Sequence, residues 1–350
     1  MSGQKVTAVE GLRFLLFLGV FLFHCSIDWF SMAWGGGVQA FLVIGSYFMT
    51  YKYLKSDGTS IKIGNSLFHR VKRLYPVYIT IVLIVTVFFI VRKGKIITDS
   101  LWYVFIVQNF RCLFDGVGRS LEGCLGHFWY IGLDIWLFVI WIVLLRFVSK
   151  KHLKIAFIVS LCIGLAWRTC FIIFRPDNIA LSYVIPIGQL DCWSIGGLIA
   201  LNVKEKGLNS RIMWVDIIIG LVGLISLIVL NSIRKQCDFY TAYKLFSTAD
   251  GYMDSPIIGN IHLFKGFLAA GLLRYCLDMT KKHVILSSKP MVALGGMTYE
   301  LYCIHLPMLF VFNYFVKNKL IMVVTAMIAT YVVSLFWCKL IDPLLKKVIK

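Results

Sequence analysis

The stretch VEGLRFLLFLGVFLFHCSI, residues 9–27, decides the fold, because it is apolar almost throughout and close to the ~20 residues that a helix needs to cross a bilayer core. Its hydrophobicity is continuous rather than alternating, which points to a helix and not to a strand of a barrel. Arg13 interrupts what would otherwise be a signal-peptide core, and no small-residue cleavage pattern follows at Ser26–Ser31. The stretch therefore reads as a retained membrane span.

Similar apolar runs return at 38–54, 75–91, 128–147, 153–174, 181–201, 213–232, 257–277, 291–315 and 320–341. The chain has 350 residues, of which 59% are hydrophobic and 15% charged, more apolar surface than one water-soluble core would bury. The expectation is an all-α, polytopic transmembrane helix bundle of about ten spans. No internal repeat and no Pro/Gly/Ser-rich linker divides it, so 1–350 reads as a single membrane domain with no appended soluble domain.

Cations give the orientation, since Lys and Arg in short loops stay on the cytoplasmic side. Lys52, Lys55, Lys62, Arg70, Lys72 and Arg73 fall between runs two and three. Arg146, Lys150, Lys151 and Lys154 fall between four and five, Arg274, Lys281, Lys282 and Lys289 between eight and nine, and Lys346, Lys347 and Lys350 at the end. Both termini are expected in the cytoplasm. The net charge of +19 is scattered among hydrophobic helices, which argues for anionic lipid headgroups as partners and against nucleic acid. The ten cysteines lack metal-ligand spacing and no metal is expected; Cys112 and Cys124 share an expected outer loop, where a disulfide is one reading.

Ionisable groups inside apolar runs carry the functional signal, because they are costly in lipid and usually face a cavity or a partner. Arg13 and His24 lie on one helical face, roughly 16 Å apart along the axis. His127 and Asp134 in the fourth run, Asp191 in the sixth, and Glu300 and His305 in the ninth lie at comparable depths. The alternating topology lets His24, His127, Asp134, Asp191 and His305 converge on one cavity, with Arg13, Arg70 and Arg73 at its cytosolic end.

Taken in order, these segments resemble the acyltransferase-3 family, which includes O-acetyltransferases of bacterial polysaccharides. Glu10-Gly11-Leu12-Arg13 followed by His24 is similar to the family's first-helix signature. Gly35-Gly36-Gly37-Val38 through Gly45-Ser46-Tyr47-Phe48 resembles its glycine-rich approach to the second helix. Arg70-Val71-Lys72-Arg73-Leu74-Tyr75-Pro76 resembles its Arg-x-x-Arg segment, and His127-Phe128-Trp129 its His-x-Trp segment. Gln189-Leu190-Asp191 and Tyr299-Glu300-Leu301-Tyr302-Cys303-Ile304-His305 resemble later motifs. Asp134 stands where the family usually has Glu, and Gln189 where it usually has Arg.

The resemblance implies an enzyme of a bacterial plasma (inner) membrane that moves an acyl group, acetyl foremost, from cytosolic acyl-CoA to a hydroxyl of a cell-surface glycan or its lipid-linked precursor. Acyl-CoA is then a co-substrate, with no permanently bound cofactor. Such a transfer needs a base, for which His24 is the best candidate because imidazole titrates near neutrality. Asp134 or His127 would orient it or share its proton. Arg13, Arg70 and Arg73 suit the phosphates of coenzyme A, since guanidinium forks bind phosphate oxygens bidentately. Glu10, Trp129, Asp191, Tyr299 and His305 are expected to line the substrate cavity. The competing reading is a multi-pass transporter or glycan flippase, whose pointer would be paired Gly/Pro-broken spans in related halves.

Overall fold

The computed structural model describes residues 6–26, 37–56, 63–94, 98–114, 121–246, 255–278 and 283–348. Among these residues there is no strand, and ten helices have seventeen residues or more. They are α1 (Thr7–His24), α2 (Gly37–Lys55), α3 (Ile63–Lys93), α4 (Trp129–Phe147), α5 (Leu153–Phe174), α6 (Leu190–Lys206), α7 (Ser210–Lys235), α8 (Ile261–Leu277), α9 (Thr298–Phe315) and α10 (Lys319–Phe336). Gly35, Gly36, Lys62, Lys281, Lys282 and Lys350, invoked above, lie outside the described residues.

Among the described residues, seven segments are long and apolar enough to cross a membrane, and they are built on α1, α3, α4, α5, α7, α8 and α10. The other three long helices, α2, α6 and α9, form much of the interior and carry its polar residues. Gln39, Ser46 and Thr50 on α2, Asp191 and Ser194 on α6, and Thr298 and His305 on α9 are all buried. Apolar side chains instead cover the outside of the perimeter helices, as with Ile84, Val87 and Val91 on α3 and Trp214, Ile218 and Val222 on α7. An apolar outside around a partly polar inside is what a lipid solvent selects.

Close helix approach depends on small residues. A Cβ at Gly196 of α6 would collide with the Val43 carbonyl oxygen of α2, and one at Gly295, in the short helix Lys289–Gly296, with the Glu10 carbonyl oxygen of α1. The second contact brings the start of α9 against the amino end of α1. Lys150 donates from Nζ to the Ser56 carbonyl at 2.9 Å, so the basic carboxyl end of α2 and the basic turn after α4 share one end of the bundle.

Several segment boundaries differ from the sequence reading: the run 181–201 is a short helix Ala180–Tyr183, a 3-10 turn Pro186–Gln189 and then α6. Arg70, Lys72 and Arg73 belong to α3 itself, which runs 31 residues through Pro76, and not to a loop before it. The run 291–315 is two helices that meet at Met297, next to Gly295 and Gly296.

Candidate functional site: a histidine cluster beneath a pocket

Three helices deliver three imidazoles to one place. His24 is the last residue of α1, His127 sits in the 3-10 turn Gly126–Phe128 that leads into α4, and His305 lies in the second turn of α9. Ring centroids are 5.3 Å apart for His24 and His305, 4.7 Å for His127 and His305, and 6.5 Å for His24 and His127. His127 and His305 are fully buried. His24 also lines a pocket of about 440 Å³, together with Ser26, Gly123, Phe310, Asn313, Lys317 and Lys319. One imidazole is thus reachable through the pocket while two stand behind it.

Pro307 helps to fix this geometry. Proline has no N–H, so in α9 the carbonyl four residues earlier, that of Cys303, loses its helical donor. His127 Nε2 lies 3.3 Å from that oxygen, and the Tyr302 hydroxyl donates to the His127 carbonyl at 2.8 Å. Within α9, His305 Nδ1 lies 2.7 Å from the Tyr302 carbonyl. The second nitrogen of each ring, His127 Nδ1 and His305 Nε2, is buried and bonds to no protein group.

Asp134 does not join the cluster. Seven residues beyond His127, hence about 10 Å further along the helix, its two carboxylate oxygens lie 2.6 and 2.5 Å from Arg70 Nη2. The Arg70 guanidinium also lies 4.5 Å from the Phe138 ring centroid. Arg70 is therefore committed to a partly buried ion pair, while Arg13 pairs with Glu10 at 3.3 Å and Arg73 is exposed. These groups mark the end of the bundle opposite the pocket. Phe17 and Val20 lie on the α1 face between Arg13 and His24; both are buried, and Phe17 meets the His305 ring edge-on at 5.7 Å. The face expected to be a polar passage is filled there by hydrocarbon.

Asp191 also stands apart, in a second polar centre. Its carboxylate pairs with Arg168 of α5 at 2.5 Å, with both side chains fully buried. Arg168 further donates to the Gly188 carbonyl and to Asn260 Oδ1. Near it, His262 Nδ1 lies 2.6 Å from Gln39 Nε2. Tyr299 donates to the Leu74 carbonyl at 2.8 Å, and the Trp129 ring packs edge-on against Tyr183 at 5.7 Å. The sequence reading missed Arg168 and Pro307, although both carried a signal: a cation inside the apolar run 153–174, and a proline four residues after Cys303. Cys112 and Cys124 are not joined by a disulfide, and among the described residues no group of His, Cys, Asp or Glu is arranged to hold a metal ion.

Fold and site together define a polytopic helical protein with a buried imidazole cluster that opens on a pocket at one end. A family model for an acyltransferase domain, Acyl_transf_3, matches residues 6–341, and the chain belongs to that family. It is 24% identical over 343 residues to the O-acetyltransferase OatA of Staphylococcus aureus (strain NCTC 8325 / PS 47), covering 91% of this chain and 53% of that protein. It is 22% identical over 328 residues to the peptidoglycan O-acetyltransferase OatA of Listeria monocytogenes serovar 1/2a, covering 88% of this chain and 50% of that one. The chain thus spans about half the length of these relatives. No solved structure matches it.

Proposed function

We propose that this chain is a membrane O-acyltransferase that moves an acetyl group from cytosolic acetyl-CoA to a hydroxyl of a cell-surface glycan or its lipid-linked precursor, with His24 as general base. The observation that carries the reading is His24 at the wall of a pocket of about 440 Å³, with two further imidazoles behind it. A hydroxyl entering the pocket gives its proton to a ring nitrogen of His24 as its oxygen bonds to the thioester carbonyl carbon. The tetrahedral intermediate then breaks its C–S bond, and the leaving thiolate takes the proton back from His24. Base catalysis of this kind contributes about 10²–10⁴-fold.

At the other end, Arg13, Arg70 and Arg73 receive the coenzyme A phosphates, with Arg70 held in place by Asp134 and the pantetheine arm directed along α1 toward His24. That path requires Phe17 to swing aside. All ten long helices span the membrane in this reading, with both termini in the cytoplasm of a bacterial cell and the chain forming one domain of its inner membrane.

The test uses the purified protein with acetyl-CoA and an oligosaccharide acceptor. Free coenzyme A and O-acetylated sugar should appear together, and His24→Ala should abolish both at equal amounts of folded protein. Acceptor movement without thioester cleavage would favour a transporter.

A further inference from the structure

The tautomers of the two inner histidines follow from their hydrogen bonds. A backbone carbonyl only accepts, so the 2.7 Å contact between His305 Nδ1 and the Tyr302 oxygen places the proton on Nδ1 and leaves Nε2 of the neutral ring as a lone pair. By the same reasoning His127 carries its proton on Nε2, facing the Cys303 oxygen, and keeps Nδ1 as a lone pair.

His305 Nε2 is thus a buried acceptor without a protein donor. The rings around it are Phe17, Phe21, Tyr302, His127 and His24. The phenylalanines have no polar atom, the Tyr302 hydroxyl donates to the His127 carbonyl, and the N–H of His127 is directed at Cys303. Only His24, among these neighbours, has an N–H left to give. Two imidazoles joined by an N–H···N bond place their centroids about 5 Å apart, given a heavy-atom separation near 2.9 Å, and the observed separation is 5.3 Å.

We propose that His305 is the positioning residue for His24, a role that rests on the acyl-transfer reading above. With a small turn of the His24 ring, His305 Nε2, unbonded in the structure, accepts a hydrogen bond from one ring nitrogen of His24, so the other ring nitrogen of His24 presents its lone pair to the pocket. While His24 holds the acceptor's proton, the same bond stabilises the imidazolium; His305 itself neither gains nor loses a proton. An imidazole in this role suits the interior of a membrane protein. A carboxylate there would bury a net charge, which is costly unless paired, and the acid in the neighbouring stretch of α4, Asp134, is already paired with Arg70.

The test separates the two nitrogens of His305. Gln places a polar atom about as far from Cα as Nε2, and Asn about as far as Nδ1. His305→Gln therefore keeps an acceptor for His24, and His305→Asn keeps only the bond to Tyr302. Per folded, monodisperse protein, His305→Gln should stay within about tenfold of the parent turnover, and His305→Asn should lose about 100-fold or more with little change in acceptor KM. Equal activities, or the opposite order, would overturn the proposal. Should His305→Asn fail to fold, nitrogen-15 spectra of histidine-labelled parent protein decide, with the His305→Gln spectrum identifying the resonance: an Nδ1–H tautomer at His305 supports the proposal and an Nε2–H tautomer contradicts it. His24→Ala runs in parallel. An inactive His24→Ala beside an active His305→Asn sinks only the role of His305, whereas an active His24→Ala sinks the acyl-transfer base itself.

Discussion

The polar centres around Asp191 and around His24 handle the cost of burial inside this bundle in opposite ways. Around Asp191 the solution is charge pairing: Arg168 and the carboxylate are both sealed from solvent and bonded to each other. Around His24 the solution is neutrality, with three imidazoles close together, two ring nitrogens bonded to no protein group and a pocket in front. A paired charge holds helices in register, whereas an unspent lone pair next to a pocket is available for chemistry. The contrast separates residues that depth in the membrane alone had grouped together.

The sharpest way to break this contrast is to exchange its consequences. His24→Gln should lower acetyl transfer by about 10²–10⁴-fold while leaving the unfolding midpoint in detergent unchanged; a large loss of stability would make His24 a packing residue. Asp191→Ala should do the reverse. Leaving the buried Arg168 charge without its carboxylate costs up to about 3–5 kcal/mol, visible as a fall in melting temperature, with activity per folded molecule largely kept. Adding Arg168→Met should recover part of that stability, because removing both charges is far less costly than removing one.

Smaller effects probe how the histidine side is held. Gly295→Ala forces a Cβ onto the Glu10 carbonyl, and overpacking of this kind costs about 1–3 kcal/mol; it should lower stability and raise the KM for the donor more than that for the acceptor. Pro307→Ala restores a backbone N–H that competes for the Cys303 carbonyl. It should leave stability equal or better and reduce turnover by roughly the few-fold that a loss of about 1 kcal/mol in one hydrogen bond implies. Unchanged turnover would mean that the His127 contact with Cys303 does not matter to the reaction.

Much of the fold was legible because a lipid solvent writes itself into long uninterrupted apolar runs, and each of the ten runs overlaps one of the ten long helices found among the described residues, seven of which lie in segments long and apolar enough to cross a membrane. Boundaries were less legible where a helix continues past its apolar segment, as α3 does through Arg70 and Arg73. At the site, residue types and depths were readable: His24, His127 and His305 do meet. Partners were not, because pairing depends on which helices adjoin. Asp134 turned to Arg70 and Asp191 to Arg168, contacts spanning 64 and 23 residues of sequence. Phe17 on the face between Arg13 and His24 was visible in the sequence, but that it fills the path is a property of packing.

The most direct measurement is the proton NMR spectrum of surface glycan from cells that express the parent protein or His24→Ala at matched membrane abundance. O-acetyl resonances are expected with the parent and none with His24→Ala. Full acetylation with the alanine variant would contradict it.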